Sequence, residues 1–137
     1  MLQAENAAPY RIAKPLGDYK KLNGLLAALQ GYGYAVEVVS WLAKGKTTKQ
    51  FDSAVRKNKR AWLRKYYPAI DLNNVHVVKH GTNKWRVSNY KGGILFDDES
   101  GNVHAWQRDT SSGKAVRIKD ETTLLDALES LIIQELE

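Results

Sequence analysis

Apolar residues return at helical spacing in three stretches of this chain and crowd into short runs elsewhere. From Asp18 to Gln30, Leu22, Leu25, Leu26 and Leu29 recur every three or four positions, Asp18 stands where an N-cap belongs, and Gly31 and Gly33 follow as stop signals. A helix is expected there. From Thr48 to Pro68 the division is sharper: with Val55 at zero and an advance of about 100° per residue, Phe51, Trp62 and Tyr66 fall within about 40° of it. Thr48 serves as the cap and Pro68 as the stop. In the last stretch, with Asp120 or Thr122 as cap, Leu124, Leu125, Leu128, Leu131, Ile132 and Leu136 form a broad face that must meet a sheet or another chain.

The runs between these helices are harder to assign. YAVEVVSWLAKGK suits a helix better than a strand on periodicity, because Ala35, Val38, Val39, Leu42 and Ala43 share one face, and Gly45 then ends it. VHVVKH and KWRVSNY, separated by Gly81-Thr82-Asn83, read as a β-hairpin. GILF and VHAWQ around the turn DDESGN, followed by KAVRIK after SSG, read as three further antiparallel strands. The expected fold class is α+β: a winged helix-turn-helix core followed by a small antiparallel β-sheet and a C-terminal helix. Its parts are a flexible N-terminus at 1–14, a basic winged-helix-like domain at 15–92 and an acidic extension at 93–137.

Charge sharpens this division. Residues 1–92 hold 17 Lys and Arg against 5 Asp and Glu, while residues 93–137 hold 4 against 10. The densest segment, Lys44 to Lys65, carries Lys44, Lys46, Lys49, Arg56, Lys57, Lys59, Arg60, Arg64 and Lys65 against the single acid Asp52. On the wheel Lys49, Arg56, Lys57, Arg60 and Arg64 lie about 100° to 200° from Val55, with Ser53 among them and Gln50 at the border. A solvated helix face normally mixes both signs, and an arginine column at i, i+4, i+8 suits bidentate contact with phosphate. With no apolar stretch of membrane-spanning length, no secretory leader pattern and no cysteine, a cytoplasmic protein without membrane association is expected.

The stretches FDSAVRKNKRAWLRKYYP and NVHVVKHGTNKWRVS resemble the end of the winged-helix DNA-binding domain of bacterial response regulators. In that family a long recognition helix ending in an Leu-Arg segment, here Leu63-Arg64, precedes a hairpin with a glycine tip and an aromatic-Arg-aliphatic strand, here Gly81 and Trp85-Arg86-Val87. The likeness covers about 40 residues, and it lacks the receiver domain and small sheet that precede the motif in the family. It implies a DNA-binding role for Lys49, Gln50, Ser53, Arg56 and Arg60. With the basic helix in the major groove and the hairpin as wing, Lys46, Lys57, Arg64, Lys79, Lys84 and Arg86 complete the expected nucleic-acid contacts. The expected function is duplex DNA binding, as a transcriptional regulator or an accessory factor of a phage, plasmid or other mobile element. A homodimer would form through the C-terminal helix.

Other chemistries have less in their favour. His76, His80 and His104 with Asp97, Asp98 and Glu99 offer metal-ligand types for a nuclease, but positions i and i+4 of a strand lie about 13 Å apart. DDESGN lacks the alternation and distal Glu of a calcium loop. No Gly-rich phosphate loop or nucleophile-base pair stands out, so no catalytic residue, metal or cofactor is expected. Trp41, lying off its helix's apolar face, is a candidate stacking platform for RNA or single strands. A protein-binding inhibitor or adaptor that uses the same surfaces, or the acidic residues 93–137 as a nucleic-acid mimic, to occupy a nucleic-acid enzyme is the alternative from another class.

Overall fold

The computed structural model describes residues 17–137, so the expected flexible segment 1–14 lies outside the described residues. In chain order the elements are α1 (Tyr19–Gly31), β1 (Val38–Trp41), α2 (Lys49–Tyr66), a 3-10 turn (Leu72–Asn74), β2 (Val75–Val78), α3 (Lys84–Val87), β3 (Ile94–Asp97), α4 (Ser100–Asp109), β4 (Lys114–Arg117) and α5 (Glu121–Leu136). The chain is thus a mixed α/β structure with five α-helices among the described residues.

The three strongly periodic helices form where the pattern places them, each closed by its expected cap. Asp18 accepts from the Lys21 amide, Thr48 from the Phe51 amide and Asp120 from the Thr123 amide. Each cap satisfies one of the amides that a helix start leaves without an internal partner.

The strands pair in parallel, which corrects the antiparallel expectation. Val38 to Trp41 run opposite Val75 to Val78, and Ile94 to Asp97 run opposite Lys114 to Arg117. Each pair is therefore joined by a helical crossover, α2 in the first unit and α4 in the second, as parallel pairing requires. Two winged-helix elements fail on the same account. The second helix of the expected helix-turn-helix is strand β1, and the expected hairpin is β2 followed by the helical turn α3. VHAWQ, expected as a strand, lies in α4, where Val103 and Trp106 are buried at helical spacing.

Packing explains the first reversal. Strand side chains alternate between faces, so Val38, Ser40, Val75 and Val77 face one way and Val39, Trp41, His76 and Val78 the other. Helix α2 covers the first face, where Leu42, Phe51 and the fully buried Val55 pack with Val77. A second cluster, Tyr66, Tyr67, Ile70 and Val75, gathers Tyr19, Leu22 and Leu26 of α1. The segment after β2 covers the other face: Trp41 Nε1 donates to the Thr82 carbonyl at 2.9 Å, and Trp41 packs on His80 with ring centroids 4.7 Å apart. A strand covered on both sides needs no polar alternation.

Glu37, just before β1, fastens that second face. Its carboxylate lies 2.8 Å from His76 Nε2, accepts the Asn89 amide at 3.0 Å and takes a short hydrogen bond from the Ser88 hydroxyl.

Candidate nucleic-acid interface

Helix α2 divides as its wheel demands, with Phe51, Val55 and Tyr66 buried and Lys49, Gln50, Ser53, Arg56, Lys57, Arg64 and Lys65 exposed. Because the helix returns antiparallel to its strands, its N-terminus stands at their C-terminal end. There the exposed Lys44 and Lys46 of the preceding loop and Lys79 beyond β2 join Lys49. Gly45, at φ +93°, makes the sharp turn in that loop.

The cations assigned from sequence separate into two kinds. Lys46, Lys49, Lys57, Arg64, Lys79 and Arg86 are exposed, and none of them pairs with a carboxylate among the described residues. Three others have structural duties. Arg56 Nε donates to the Val77 carbonyl at 3.2 Å, while Arg60 donates to the Val75 carbonyl at 3.2 Å and the Leu72 carbonyl at 2.9 Å. Val75 and Val77 point their carbonyls away from β1, so these arginines close the free margin of β2. Lys84 is the third: its ammonium lies 2.7 Å from Asp97, with side chains only 16% and 3% exposed, and 5.5 Å from the Trp41 ring centroid.

Lys59 guards the opposite margin of the sheet. Its ammonium donates to the Trp41 carbonyl at 2.7 Å and the Ser40 hydroxyl at 2.8 Å. Burial, together with the nearby Lys84 charge, pulls its pKa below the usual lysine range. Asp97 feels the converse. Burial pushes its carboxyl up, but the Lys84 hydrogen bond and charge, the Glu99 amide and the Asn102 side chain outweigh it and hold it below the usual carboxylate range.

Lys44 and Lys65 belong to the exposed cationic surface although the resemblance assigned them no role. Their signal in the sequence was membership of the Lys44–Lys65 charge run. Trp41, the stacking candidate, has its indole N–H engaged and packs between His80 and Lys84. His76 is turned toward Glu37, and no three His, Asp or Glu side chains converge on a metal-binding position among the described residues.

Compared with family models, curated proteins and solved structures, the chain matches none. No helix among the described residues is long and apolar enough to cross a membrane.

Proposed function

We propose that this protein binds the phosphate backbone of nucleic acid, duplex DNA in the first instance, through the exposed face of α2 and the loop that leads into it. The observation that carries this reading is the run of exposed cations Lys44, Lys46, Lys49, Lys57, Arg64 and Lys65, none held by a carboxylate among the described residues. An 18-residue helix is about 27 Å long and 10 to 12 Å across, which suits a DNA major groove. Gln50 and Ser53, exposed between the cations near the helix start, are the side chains able to address base edges. The reading requires no wing. Arg56 and Arg60 contribute mainly by holding the sheet beneath the helix, with their remaining N–H groups turned to phosphate.

The test is affinity for random duplex DNA across a salt series, with Lys49→Gln/Lys57→Gln/Arg64→Gln beside the wild type. Loss of three phosphate contacts should flatten the log–log salt slope by roughly 2 to 3. Absence of binding at low salt, or an unchanged slope in the variant, would sink the proposal.

A further inference from the structure

Exposure along α2 is uneven. Lys49, Gln50, Ser53, Ala54, Arg56 and Lys57 are exposed, whereas every residue from 58 to 63 is half-buried. The N-terminal half of the helix therefore stands furthest from the body of the protein, at the end where Lys44, Lys46 and Lys79 gather. Phosphates bound as proposed above are held most densely around this end, so these turns are the ones that enter a groove.

That half has two different flanks. With Val55 at zero on the wheel, Arg56 and Lys49 lie at about 100° and 120°, Gln50 and Ala54 at about 220° and 260°, and Ser53 between the two pairs. The flank of Gln50 and Ala54 is uncharged, and the short side chains of Ser53 and Ala54 let the helix backbone come close to base edges. Gln50 and Ala54 are one turn apart, about 6 Å along the axis, within reach of neighbouring base pairs stacked about 3.4 Å apart.

The chemistry of this flank selects among bases. In the major groove adenine presents an acceptor beside a donor, which the two ends of one glutamine amide meet together; guanine presents two acceptors and would oppose the amide oxygen. Cytosine is read by a carboxylate, and the one acid here, Asp52, is half-buried on the other flank and accepts from the Thr47 hydroxyl at 2.6 Å. Thymine alone offers a methyl group, and Ala54 is the exposed apolar side chain of this half of the helix. Building on the phosphate-binding reading, we infer that α2 is selective for A·T pairs in the major groove of duplex DNA. Gln50 reads adenine, Ala54 meets the thymine methyl of a neighbouring pair, and Lys49 and Lys57 neutralise the phosphates alongside.

The experiment compares binding of the full chain to two duplexes, alternating adenine–thymine and alternating inosine–cytosine. Inosine lacks the amino group that guanine places in the minor groove, so the two duplexes differ only in the pattern of the major groove. Wild type should prefer adenine–thymine by roughly tenfold. Deaza-adenine without the ring-nitrogen acceptor, and uracil in place of thymine, should each reduce that preference. Gln50→Ala should be indifferent to the deaza-adenine exchange and Ala54→Gly to the uracil exchange. Both variants should keep wild-type affinity for inosine–cytosine, which shows them folded. Equal affinity for the two duplexes would overturn the proposal and leave phosphate binding in place. So would a preference for inosine–cytosine, which Lys57 would confer by reading the two purine acceptors, or a preference for adenine–thymine that survives both deaza-adenine and Gln50→Ala. Absence of binding to either duplex at low salt overturns the phosphate reading and this one with it.

Discussion

Replacing Asp97 by asparagine removes a negative charge from the place where the two crossover units meet. Asp97 ends β3, and its oxygens accept from Lys84 at 2.7 Å, the Glu99 amide at 2.9 Å and Asn102 at 3.2 Å. Removing one partner of a buried ion pair costs about 3 to 5 kcal/mol, mainly because the other charge is left without compensation. Asparagine still accepts a hydrogen bond, and the Lys84 ammonium keeps the Trp41 ring beside it, so about 3 kcal/mol is expected. Lys84→Met should cost less, about 2 kcal/mol, since the two remaining donors still serve the carboxylate. The double variant should cost less than the sum of the singles by about 1.5 to 3 kcal/mol. At roughly 3 °C per kcal/mol for a domain of this size, Asp97→Asn should lower Tm by about 10 °C.

The pH dependence supplies a second check. Because the folded carboxyl titrates below its ordinary range, its contribution is complete above the unfolded value near about 4 and drains away as pH falls through the depressed one. Urea unfolding followed by circular dichroism should therefore show the gap between wild type and Asp97→Asn narrowing from pH 7 to about pH 3. Single variants within about 0.5 kcal/mol of wild type at pH 7, or a gap that ignores pH, would refute this account.

Substitutions at four further positions follow from the packing and the caps. Trp85 Nε1 is buried without a hydrogen-bond partner, so Trp85→Phe should be neutral or stabilise by up to about 1 kcal/mol. Trp106→Phe, which loses a bond to the Gly93 carbonyl, should destabilise by a similar amount, and paired denaturation curves would show the two signs. Arg60→Ala uncaps the Val75 and Leu72 carbonyls and should cost about 1 to 2 kcal/mol, with Arg60→Lys recovering little because one ammonium cannot reproduce the fork; hydrogen exchange at β2 is the readout. Thr48→Ala should cost about 1 kcal/mol, measured by thermal melting, through loss of the bond to the Phe51 amide.

The helices were legible because each presents one apolar face, one polar face and a cap. Asp18, Thr48 and Asp120 all sit where the pattern put them. The strands that were missed or mispaired have four residues each, too few for a period to assert itself against neighbours. In VVSW the valines satisfied a helical wheel only because both faces of the strand are covered, and periodicity cannot separate those cases. Val103 and Trp106 carried a helical spacing that the turn-like DDESGN obscured. The cationic face of α2 was readable from its wheel; what Arg56, Arg60 and Lys84 do was not. Their partners are backbone carbonyls and a carboxylate from distant segments, which only the parallel pairing brings near.

The first sheet has only two strands, so both are edge strands, and helix α2 covers both outer margins: Lys59 over β1, Arg56 and Arg60 over β2. Fraying of this one helix would bare two rows of carbonyls at once, beside valine-rich strands well suited to adding a strand from another molecule. The hazard of aggregation therefore lies in a partly unfolded state that needs only α2 to open. Whatever steadies α2 also lowers the population of that state.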